Sequence, residues 1–180
     1  MARILKLFPP RPVITEEEVG PQFRDGPRLA YGWAFSSDDL MKYAEYYKLK
    51  KSLQPYFSEK LGKSFVTYGA LWETEAQDKD LLHYLSATLP IAVRRDLEER
   101  AGIQLLSVIP FSKMHHHLFA LYTNVDATER IDEIDDTVGL DGAMDAIDDA
   151  IEGAGIQAEP LWWYDSLTLR GVVRPPILSS

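Results

Sequence analysis

The chain contains no cysteine. That absence excludes a disulfide framework, a thiolate nucleophile and every cysteine-ligated metal centre, and it fits a reducing compartment. No apolar run approaches the length of a transmembrane helix. The opening, MARILKLFPPRP, is broken at Pro9 and too short for a secretory signal, while Glu16, Glu17 and Glu18 follow too soon for a mitochondrial presequence. The mature chain is therefore expected to start near Met1 and to stay in the cytosol or nucleus.

Catalytic and nucleotide signatures are missing too. There is no G-x-S-x-G, H-E-x-x-H or G-x-G-x-x-G. LGKS, Leu61 to Ser64, resembles the tail of a phosphate loop, but Phe57 stands where the upstream glycine belongs and an expected strand, not a helix, follows. Bases are nearly absent between Asp126 and Glu152, where eleven acids face Arg130 alone. The net charge of −9 is thus one local feature. It argues against a broad nucleic-acid surface, and no membrane surface is expected either. An EF-hand reading fails because neither Gly139 nor Gly142 gives a working twelve-residue register. The acids read as the solvated face of a helix, or as a docking face for a basic partner.

What is present is a chain of 180 residues, 46% of them hydrophobic, which suffices for a substantial core. Residues 1–27 hold five prolines and read as an extended arm. Residues 28–180 read as a single α+β domain with its core at 64–165. Arg28–Phe35 suits a strand, and Ser36 or Ser37 with Asp38 and Asp39 announces a helix. SFVTYGALWE from Ser64 reads as a strand, and residues 78–102 as a helix that Pro90 should kink or divide. IQLLSVIPF and HHLFALYTN read as strands. Leu140, Met144, Ile147 and Ile151 form one helical stripe in the acidic segment. The closing IQAEPLWWYD reads as an edge strand because of Pro160.

From residue 64 the order is β-α-β-β-α-β, the ferredoxin-like arrangement. Such a sheet leaves one face free of helices. Yet Leu106 and Val108 oppose Ile103, Leu105 and Ile109, and Leu118, Ala120 and Tyr122 oppose Phe119 and Leu121, so both faces are apolar. Residues 1–60 or a second copy of the chain are expected to cover the second face, which makes a homodimer an expectation of the reading.

Two groups of side chains stand out for chemistry. His115, His116 and His117 open a strand, with His115 and His117 expected on one side and His116 on the other. They read as a polar strand start, with no metal and no cofactor expected. If the chain is an enzyme, His115 or His117 with Tyr122 or Tyr68 supplies an acid–base pair for an apolar substrate in a small α+β barrel. Trp163 and Tyr164, with Trp72 nearby, suggest one wall of a ligand pocket. The favoured reading is a non-enzymatic protein for protein–protein interaction or for a small apolar ligand.

Overall fold

The computed structural model describes residues 28–62, 64–69 and 79–169. The proline-rich arm and Trp72 lie outside them. The fold is mixed α+β, with a four-stranded antiparallel sheet and a separate two-stranded one.

The central strand of the main sheet is β1, Leu29–Phe35. Ser36 then caps α1, Ser37–Tyr46: its side chain accepts from Asp39 N, and Asp39 accepts in return from the Ser36 backbone. A short strand β2, Lys50–Ser52, and helix α2, Pro55–Leu61, follow. Pro55 opens α2, where its missing N–H costs nothing. Strand β3, Phe65–Thr67, pairs with β2 in the small sheet. The stretch from Ser64 is therefore not the first strand of the main sheet. Residues 29–35 take that place, because all seven are buried, as suits an inner strand, while Phe65–Thr67 are exposed or half-buried.

Helix α3, Lys79–Ala101, runs unbroken through Pro90. Strand β4, Leu106–Val108, is shorter than its apolar run suggests, since Ile103 and Leu105 join the core before the strand begins. After β5, His117–Thr123, the acidic segment forms two helices: α4, Ala127–Thr137, and α5, Leu140–Gly153. Met144, Ile147 and Ile151 are buried on α5 as the stripe requires, joined by Ala143 and Ala150. Edge strand β6, Leu161–Tyr164, leads into a single turn, α6, Ser166–Leu169. No described helix is long and apolar enough to cross a membrane.

The strand order is β4-β5-β1-β6. Trp33, Phe35, Leu40, Tyr43, Leu97 and Ile147 meet in one core on the helix-covered face. Tyr43 Oη donates to Asp96 at 2.8 Å, and Arg100 Nε donates to the same oxygen at 2.7 Å. The Arg100 guanidinium lies 3.8 Å from the Tyr47 ring centre, and Tyr47 Oη donates to Ala150 O at 3.0 Å. These contacts tie α1 to α3 and α5. Helix α1 thus shares the face of the other helices and does not cover the opposite one.

The sheet closes on that opposite face by rolling. β4 and β6 are its edges, yet the chain just beyond each meets at an antiparallel bridge, Pro110 opposite Asp165. Phe111 N donates to Tyr164 O at 2.8 Å and Ser166 N to Ile109 O at 2.9 Å. The bridge uses no N–H from Pro110, so proline fits there. Ala30, Ala34, Leu118 and Ala120 form a second buried cluster, with Leu106, Val108 and Trp163 packed against it. Eight strands leave a barrel interior just wide enough to be filled by side chains, so a four-stranded roll leaves less, and alanine suits its concave side.

A bulge adjusts the faces within the sheet. Tyr31 pairs with Tyr122 but Gly32 pairs with Ala120, leaving Leu121 extra. Leu121 and Tyr122 consequently both join the helix-side core, so Tyr122 does not share a face with Leu118 and Ala120 as strict alternation requires. Glycine is needed opposite the bulge, because a Cβ on residue 32 would sit 2.1 Å from Phe119 O.

Candidate functional site

The link from β4 to β5 organises the histidines. Ser112 Oγ accepts from Met114 N at 3.2 Å and from His115 N at 3.1 Å, and lies 3.3 Å from His115 Nδ1. This turn sets the His115 ring edge-on to Trp163, with centroids 5.3 Å apart. His116 N then donates to Phe35 O, and His117 begins β5 opposite Phe35. Alternation from Leu118 puts His117 on the helix side. His115 and His117 therefore do not alternate along one strand: the strand starts at His117, and His115 belongs to the turn. Burial lowers the His117 pKa below 6.5, and the neighbouring His116 adds to the effect. Among the described residues no group of three or more His, Asp or Glu is placed to hold a metal ion.

His115 and Trp163 border an open groove of about 510 Å³. Its apolar surface comes from Ala34 on β1, Leu161 and Trp163 on β6, and Ile156 and Ala158 in the link from α5. Glu152, Gln157 and Glu159 supply polar groups, and among the described residues no lysine or arginine lines it. Ala34 and Trp163 also belong to the inside of the roll, so the groove lies at the mouth of the rolled sheet. The indole Nε1 of Trp163 is buried with no hydrogen-bond partner.

The other sequence candidates lie apart from this groove. Tyr122 stacks on Tyr31 with centroids 5.3 Å apart, and Trp162 packs on both rings. Burial, and then the neighbouring Tyr31, raise the Tyr122 pKa. Tyr68 is buried and donates to Thr88 Oγ1 at 3.3 Å; burial raises its pKa, partly opposed by that hydrogen bond. Neither tyrosine lines the groove that holds His115. Tyr164 is half-buried beside it in sequence but is not part of its lining, and its Oη is buried without a partner. Ala34, Glu152 and Glu159 carry no signature at the level of sequence, because three separate elements bring them together.

Comparison with known proteins finds no matching family model, curated protein or solved structure.

Proposed function

We propose that this protein is a non-enzymatic small-ligand-binding protein of the cytosol or nucleus, and that its ligand occupies the groove beside His115 and Trp163. The observation that carries the reading is the concave groove of about 510 Å³ that Ala34, His115, Leu161 and Trp163 line at the mouth of the rolled sheet. A concave, largely apolar surface with few polar groups at a barrel mouth is where small molecules bind. The separation of both candidate tyrosines from His115 favours binding over acid–base chemistry.

The order β4-β5-β1-β6, with antiparallel neighbours throughout, supports a ferredoxin-like arrangement whose first strand is β1 and whose crossovers are α3 and α5. The absence of cysteine supports the reducing compartment. Because residues of all four strands fill the second face, that face supplies no reason for a dimer.

The neutral fluorophore N-phenyl-1-naphthylamine tests the groove. Saturable fluorescence enhancement is expected, weakened strongly by Leu161→Trp, which fills the groove from an exposed position. No saturable binding, or binding unchanged in Leu161→Trp with native circular dichroism, overturns the reading.

A further inference from the structure

The groove is chemically one-sided. Among the described residues, its only charged lining groups are Glu152 and Glu159, both exposed. Glu152 stands in the last turn of α5, a helix of 14 residues with no basic residue in that turn. A helix C-terminus carries partial negative charge and favours a cation, so an acid there is locally unfavourable. Asp145 and Asp149, exposed on the same helix, deepen the negative potential. The Trp163 ring system lines the same groove, and tryptophan is the aromatic that attracts cations best.

We infer that the groove takes an organic amine, with an apolar body against Trp163 and an ammonium head drawn to the carboxylates of Glu152 and Glu159. This rests on the groove being the ligand site and adds the chemical class. An anion is disfavoured by the same two carboxylates and by the end of α5. A neutral analogue keeps the apolar contact and loses the charge.

Three probes share a phenyl ring and a hydroxyl and differ in charge: phenylalaninol is cationic, N-acetylphenylalaninol neutral and 3-phenyllactate anionic. Each competes with N-phenyl-1-naphthylamine on the full chain at low salt. Phenylalaninol is expected to bind about fivefold more tightly than the neutral compound, in the range that two exposed ion pairs supply. Phenyllactate is expected to bind weakest. The preference should shrink with added salt, because both acids are exposed. Glu152→Gln combined with Glu159→Gln should abolish it while the naphthylamine still binds. Equal affinity of the cationic and neutral probes, or a preference that survives the double substitution, overturns the amine assignment alone. Absence of naphthylamine binding in the unaltered protein overturns the groove itself.

Discussion

Trp33 Nε1 donates to Asp148 Oδ1 at 2.7 Å, across 115 positions of sequence. Trp33 is wholly buried in β1, and Asp148 is half-buried on α5. One acid of the acidic helix therefore holds the sheet, whereas the sequence reading places it in water. Asp148→Ala is expected to destabilise by about 1–3 kcal/mol, the cost of a buried donor left without its acceptor. Asp149→Ala, on the exposed side, should cost under about 0.5 kcal/mol. Urea unfolding compares them, and equal effects would remove the anchoring role.

Gly32 faces the bulge at Leu121. A Cβ there would lie 2.1 Å from Phe119 O and 2.5 Å from Ala120 Cα, both backbone atoms. No rotamer relieves a clash with backbone, so Gly32→Ala should cost at least the roughly 1–3 kcal/mol of ordinary overpacking. Thermal unfolding checks this, and a melting temperature within error of the unaltered protein would show that the strands separate cheaply.

His117 makes stability depend on pH. Its folded pKa is lowered from 6.5 by burial and then by His116, so the unfolded chain binds its proton more readily. The contribution is complete above 6.5 and is lost as pH falls through that value toward the lowered one. Stability of the unaltered protein should thus drop between pH 7.5 and 5.5 more steeply than that of His117→Gln. Denaturant titrations at several pH values measure the two slopes, and parallel slopes would show that His117 ionises alike in both states.

The seam of the roll can be opened at one backbone group. Phe111 N donates to Tyr164 O, while the Phe111 side chain is 56% exposed. Phe111→Pro removes that donor and should speed hydrogen exchange at Ser166 N, the other half of the bridge. Phe111→Ala keeps the donor and should leave that exchange slow. Slow exchange in both variants would mean that the edges stay closed without the bond.

Local signals were readable where their cause is local. The Ser36–Asp39 cap closes within four residues, and Met144, Ile147 and Ile151 show their periodicity within three turns. β1 and β5 are legible because continuous apolar runs need burial on both faces. Helix α4 was missed because among its acids only Ile131 and Ile134 mark a buried side, too little to reveal a period. The place of β1 in the sheet depended on which of two strand-like segments could stand full burial. The bulge at Leu121 moved Tyr122 to the other face, which a rule of two cannot foresee. His115 met Trp163 only because the sheet rolled and a serine turn carried that histidine out of register. Caps and periodicity thus marked α1 and α5, and continuous apolar runs marked the two inner strands. Closure of the roll, the partner of Asp148 and the groove depended on how distant segments crossed, and neighbouring residues hold no record of that.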